Sequence, residues 1–201
     1  AKLPLATRLL MGTSNFLTHY WWLVIAIIAI ATTIFRVYMR TPGGRRSVDI
    51  AKFRLPVFGG IFEKIYLVRF SRSFSTLIAS GIPVTKALEI VADVIGNVIY
   101  KELTLQTIEE VEAGNSIATV LVQSRVVPPM LPQMMIVGVQ TGKLDIILDK
   151  LASFYAKELE NMVANLVSII EPLILVIMGA AVTVIVMAIL LPMYNLSNAI
   201  N

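Results

Sequence analysis

The chain has 201 residues, of which 57% are apolar and 15% charged, whereas a soluble domain holds roughly 45–50% apolar residues. It lacks cysteine, which excludes a disulfide framework, an iron–sulfur cluster and any thiolate metal site, and its one histidine, His19, excludes a histidine cluster. The net charge of +4 conceals a division: Arg36 to Arg72 carries nine Lys and Arg against two acids, and Lys86 to Glu171 carries six against eleven. A nucleic-acid binder gathers its positive charge on a face with base-stacking aromatics. Here the basic block directly follows an apolar run, so no nucleic-acid partner is expected.

Residues 1–20 form a short lead opening on Ala1-Lys2-Leu3-Pro4 without a methionine, which leads us to expect a piece of a longer protein. No small-residue cleavage site follows before Arg36, so the lead is not expected to be a removable signal. A first membrane span is expected over residues 21–38, with Tyr20-Trp21-Trp22 at its entrance and Phe35 and Tyr38 near its exit, where interfacial aromatics belong. His19 reads as an interfacial residue beside that belt. Arg36, Arg40, Arg45, Arg46, Lys52 and Arg54 cluster after the span, whereas the lead has only Lys2 and Arg8 and the tail after Leu191 has no charge. The positive-inside rule then puts the middle of the chain in the cytoplasm and both ends outside. The arginines read as topology signals and as contacts to anionic lipids.

Between the spans the sequence is punctuated as a set of short helices. Thr41-Pro42-Gly43-Gly44 reads as the end of the juxtamembrane stretch, and Leu55 to Gly60 as a second break. A helix is expected from about Ile61, with Phe70, Phe74, Leu77 and Ile78 on its apolar face. Gly81 suits its C-terminal cap and Pro83 the first turn of the helix carrying Val84, Ala87, Leu88, Val91 and Ile95. After Gly96-Asn97, a helix from about Val98 to Ala113 is expected to bury Leu105 and Ile108 and to show Glu102, Glu109, Glu110 and Glu112 to water. A short helix with Ile117, Val120 and Leu121 follows, then a loop from Arg125 to Pro129. Next comes a methionine-rich helix, Met130 to Val139, whose Met130, Met134 and Met135 read as adaptable core.

From Leu144 the residues Leu148, Leu151, Tyr155, Leu159, Met162 and Leu166 recur at about 3.5-residue spacing with no break before Pro172, so one helix is expected to run on into the membrane. Leu173 to Leu191 is uncharged; at 1.5 Å per residue it spans roughly 28 Å against a hydrocarbon core of about 30 Å. That length places Glu171 at the cytoplasmic boundary, where it contacts a neighbouring subunit or a pilin, or else lies among headgroups. The fold expected is an all-α membrane protein: a cytoplasmic bundle of about six helices over residues 39–165, held between transmembrane helices at 21–38 and 166–191, with an extracytoplasmic tail at 192–201.

Catalytic readings find little support. There is no phosphate-cradling G-x-x-x-x-G-K-(S/T), no cysteine nucleophile and no histidine in the middle domain. Asp145 and Asp149 stand one turn apart but read as a solvated pair rather than a cation site. No cofactor is expected. A subunit of a small-molecule transporter or membrane enzyme is the alternative, although two nearly charge-free spans offer no polar path across a bilayer.

The order of these marks is itself informative. Phe70-Ser71-Arg72-Ser73-Phe74-Ser75-Thr76-Leu77-Ile78-Ala79-Ser80-Gly81-Ile82-Pro83, followed by Ala87-Leu88, resembles the F-x-R-x-(L/F)-x-x-L-(L/I)-x-(S/A)-G-(V/I)-P element of the type II secretion system F family, the inner-membrane platform proteins of type II secretion and type IV pilus assembly. Pro128-Pro129, Gly138 with Thr141-Gly142-Lys143-Leu144, Phe154-Tyr155 and Glu171-Pro172-Leu173 follow in that family's order, and Leu3-Pro4-Leu5 with Thr7-Arg8 and Tyr20-Trp21-Trp22 resembles the start of its second half. The resemblance covers nearly the whole chain. It implies a second copy of the helical domain upstream, and as partners a cytoplasmic ATPase, pilin or pseudopilin, other inner-membrane assembly proteins, lipids and further copies of the chain. Glu171, Pro172, Gly142, Thr141, Gly81 and Pro83 are then candidates for coupling or subunit contact. Glu109, Glu110 and Glu112 are candidates for docking a basic motor surface, or a solvated helix face. The chain departs from the family at Val139-Gln140, where members often carry two acids, so a role for those acids does not transfer to it.

Overall fold

The computed structural model describes residues 5–56 and 58–199, and every regular element among them is a helix. In chain order these are α1 (Leu5–Arg40), α2 (Pro42–Arg54), α3 (Phe58–Ala79), α4 (Val84–Val94), α5 (Val98–Glu112), α6 (Thr119–Gln123), α7 (Met130–Thr141) and α8 (Leu144–Ala199). The expected all-α class is thus observed. The chain divides into two compact units, one comprising the chain up to Tyr38 and from Asn165 onward, the other Met39–Ala164.

The first unit contains apolar helix. Thr18–Arg40 of α1 and the stretch of α8 up to Ala188 are long and apolar enough to cross a membrane. Trp21, Ile25, Ile28 and Ile34 on α1, and Leu175, Val176 and Met178 on α8, lie exposed. Such a surface suits lipid because a helix satisfies its own backbone. Three threonines follow the same logic: Thr32, Thr33 and Thr183 donate their hydroxyls to carbonyls one turn back, at 2.6, 2.7 and 2.8 Å, so these hydroxyls present no unmet donor to hydrocarbon. α1 starts upstream of the aromatic belt, at Leu5, and is broken at Tyr20, whose φ of −115° and ψ of 16° leave the helical region. Residues 1–4, including Leu3-Pro4, and residues 200–201 lie outside the described residues.

In the second unit the core is one cluster drawn from α3, α4, α5, α6, α7 and the start of α8, with Ile117 and Val127 from the connecting segments. Leu67, Phe74, Leu88, Val91, Ile95, Met135 and Leu148 are fully inaccessible. Each such side chain contributes about 1.5–3 kcal/mol through burial. The clean α8 register is explained by this cluster: Leu144, Leu148, Leu151 and Tyr155 are its buried face, and Leu159, Met162 and Leu166 are half-buried further along the same stripe.

Four local expectations are corrected. Thr41-Pro42-Gly43-Gly44 does not merely end a stretch; it starts α2, with the Thr41 Oγ1 accepting from Gly44 N at 3.1 Å and Pro42 in the first turn, which needs no donor. α3 begins at Phe58, not near Ile61, because Gly59 permits close approach: a Cβ there would stand 2.4 Å from the Phe53 carbonyl oxygen. On α5, Leu105 is exposed, and the buried positions beside Ile108 are Tyr100, Thr104 and Thr107. The two threonine hydroxyls donate to the Tyr100 and Leu103 carbonyls at 2.7 and 2.8 Å, so they enter the interior without an unmet bond. Met130 is exposed, leaving Met135 as the fully buried methionine of α7 and Met134 half-buried against the core.

Candidate functional site

The side chains that tie α8 to the rest of its unit form a ladder along α3. Ser75 Oγ donates to the Asp145 carbonyl at 2.8 Å, Arg72 Nη1 meets Asp149 Oδ1 at 2.8 Å, and Lys64 Nζ meets Glu158 Oε2 at 2.9 Å. As the α3 number falls the α8 number rises, so the two helices are antiparallel and in register. Lys64 also lies 5.0 Å from the centroid of the Tyr155 ring, a cation–π distance. Burial, with the charges of Glu158 and Glu63 behind it, pushes the Tyr155 hydroxyl up to about 12, so the phenol stays neutral. Tyr66, Tyr100 and Phe53 pack against one another at tilted angles with centroids 5.7–6.1 Å apart. The Tyr100 hydroxyl, also raised chiefly by burial, donates to the Val126 carbonyl at 2.8 Å.

Gly81 and Gly142 supply corners rather than contacts. Each has positive φ, 78° and 65°, and each closes a Schellman motif: Gly81 N to Ile78 O with Ile82 N to Leu77 O, and Gly142 N to Val139 O with Lys143 N to Gly138 O. The second corner brings α8 hard against α7. A Cβ on Gly138 would stand 3.0 Å from Leu144 Cα. Thr141 directs its hydroxyl to the Val137 carbonyl at 2.8 Å. Pro83 stands at the N-cap of α4, one residue before the first turn expected for it.

Glu109 and Glu112 are exposed at the end of α5, and Glu110 accepts from Asn115 Nδ2 at 2.7 Å. Beside them a groove of about 360 Å³ is lined by Val84, Val111, Ile117, Ile136, Val139 and Gln140, so the Val139-Gln140 pair faces the end of α5 that carries these acids. Glu171 belongs to the other unit. It is exposed on α8 next to Pro172, in a shallow apolar depression with Val167, Ile170, Ile174 and Leu175. Among the described residues no group of three His, Asp or Glu is placed to hold a metal ion, and Asp149 is engaged with Arg72.

Sequence reasoning missed Asp49. Although it lies in the basic block, it is 2% exposed, accepting from Val98 N at 2.9 Å and from Lys52 Nζ at 2.6 Å. It thereby pins α2 to the N-terminus of α5, where a carboxylate is favoured by the exposed helix donors. Burial works against the Lys52 charge, but the hydrogen bond to Asp49 and the nearby Tyr66 and Asp49 charges raise its pKa on balance. An acid amid six basic residues gives no periodic signal; only the fold shows that it points inward.

The family model described as "Type II secretion system (T2SS), protein F" matches residues 70–192. Similar proteins include "Type IV pilus assembly protein PilC" of Pseudomonas aeruginosa, 33% identical over all of this chain and 54% of that protein. The "Type IV pilus assembly protein PilC" of Thermus thermophilus is 36% identical over 98% of this chain and 48% of its own length. "Type II secretion system protein F" of Aeromonas hydrophila is 32% identical over 100% and 52%. The chain therefore spans about half the length of the curated relatives it matches. A family match over residues 70–192, on an all-α fold with two membrane-grade helices, establishes that this chain belongs to the type II secretion system protein F family.

Proposed function

We propose that the protein is a non-catalytic platform subunit of a type II secretion or type IV pilus machine in the bacterial cytoplasmic membrane. It works as an oligomer and couples a cytoplasmic ATPase to the addition or removal of pilin-like subunits. The observation that carries this reading is α8: one helix whose first turns are core residues of the Met39–Ala164 unit and whose later turns are the apolar segment. A push or twist applied to the helical domain is transmitted along such a helix, because its backbone hydrogen bonds are continuous and the α3 ladder fixes its start. The arginines between Arg36 and Arg54 favour a cytoplasmic location for the domain, within reach of a motor.

The test is to break the helix without removing the span. Leu159→Pro costs a backbone hydrogen bond and about 3 kcal/mol within a helix, and Glu171→Gln removes the charge at its apolar entry. Both variants should still insert in the membrane, and both should abolish piliation or secretion. Normal assembly in the two would overturn the coupling role, and substrate-stimulated turnover by the purified protein would favour a transporter or enzyme instead.

A further inference from the structure

At the corner between α4 and α5 the hydrogen-bond arrangement differs from that at the other glycine corners. Gly81, Gly114 and Gly142 each direct two successive N–H groups onto carbonyls of the preceding helix. Ile95 is in the right-handed helical region and Gly96 has a φ of 78°, yet neither Gly96 N nor Asn97 N reaches a carbonyl among the described residues. Successive N–H groups in such a turn form a concavity suited to an anion. The first donors of α5 proper are already engaged: Val98 N by Asp49, and Ile99 N and Tyr100 N by the Asn97 Oδ1 at 2.9 and 3.1 Å.

Asn97 is 2% exposed, and the other end of its amide, Nδ2, is buried with no acceptor. A buried donor left unmet costs about 1–3 kcal/mol, so a native protein retains one where something supplies the acceptor. Asn97 lines a cavity of about 160 Å³ whose other walls are Arg45, Ala92, Asp93, Gly96, Val98 and Lys101. Lys101 is paired with Asp93 at 2.7 Å. Arg45 forms no ion pair among the described residues. Arg69 leans over the same turn, its Nη1 3.0 Å from where a Cβ on Gly96 would stand. The local balance is therefore cationic, and backbone and side chain at this one corner both carry unmet donors.

We propose that this corner binds a phosphate-class oxyanion, whose oxygens accept from Asn97 Nδ2 and the Gly96 and Asn97 N–H groups and whose charge is neutralised by Arg45 with Arg69. The cavity is smaller than the roughly 300–1,000 Å³ of drug-sized ligand pockets, so it takes a headgroup rather than a whole nucleotide. Two sources share this chemistry: the phosphate of an anionic lipid, since Arg45 follows the end of α1 at Arg40 by five residues, and a soluble phosphate.

The experiment uses the intact membrane protein in nanodiscs. One arm titrates phosphatidylglycerol into phosphatidylcholine discs and counts retained lipid by native mass spectrometry; the other titrates inorganic phosphate into pure phosphatidylcholine discs and follows the ³¹P signal. Asn97→Asp keeps an oxygen to cap Ile99 and Tyr100 but turns the donor into a negative acceptor, Arg45→Gln removes the cation, and Arg125→Gln, exposed and outside both the cavity and the basic cluster after α1, is a charge control. Saturable binding in either arm is expected, weakened about tenfold or more in Asn97→Asp and Arg45→Gln, the scale of one charge-assisted hydrogen bond, and unchanged in Arg125→Gln. The arm that saturates identifies the source. Absence of saturation in both arms, or equal weakening in Arg125→Gln, overturns the site, and Arg45→Gln decides alone if Asn97→Asp does not fold.

Discussion

Asp49 shows how a single carboxylate can fix the junction that follows a membrane span. Its partners are a backbone donor of α5 and a lysine of its own helix, and it is buried. Replacing it with alanine leaves Val98 N without its acceptor and Lys52 without its counter-ion. Since Lys52 remains a quarter exposed and can hydrate, the loss should be about 2–3 kcal/mol rather than the larger cost of stranding a fully buried charge. Asp49→Asn, which still accepts from Val98, should cost about half as much. Thermal unfolding of the detergent-solubilised protein measures both, and equal stability of the alanine variant would remove Asp49 from this role. Nothing in the sequence marks the residue, because a buried acid is defined by its partner from another helix, and that partner is a backbone group present at every position.

Element by element, legibility followed periodicity. The stripe Leu144, Leu148, Leu151, Tyr155 is readable because four apolar residues at helical spacing have no competing explanation, and the left-handed corner at Gly81 is readable because only glycine takes positive φ without strain. What stayed hidden were positions where chemistry contradicts polarity: Thr104 and Thr107 bury their hydroxyls by bonding their own helix, while Leu105 between them lies exposed. The α3–α8 ladder was equally hidden, since pairing across some eighty residues leaves no local trace. Its rungs should differ in strength. Lys64 is 13% exposed and Glu158 36%, so a double-mutant cycle with Lys64→Met and Glu158→Leu should give a coupling near 1 kcal/mol. Arg72 and Asp149, both more than half exposed, should couple by less than about 0.5 kcal/mol. Equal couplings would mean that screening does not set the ranking.

For the whole molecule, the placement of the arginines predicts a topology that a sequence without cysteine makes simple to read. A single cysteine at Asn115, exposed in the helical domain, should resist a membrane-impermeant maleimide in intact cells and react after lysis. One at His19, exposed before the arginine cluster, should react in both. The reverse pattern would invert the orientation and with it the access of any cytoplasmic motor. The helix that joins the two units also sets an order of synthesis. Leu144, Leu148, Leu151 and Tyr155 complete the core begun by α3, α4, α5 and α7, yet they are the last of that core to be made. When Tyr155 emerges from the ribosome, the apolar turns that follow it are already inside the exit tunnel. The domain therefore closes its core only as the apolar turns that follow Tyr155 are being delivered, which makes insertion and folding two faces of one event.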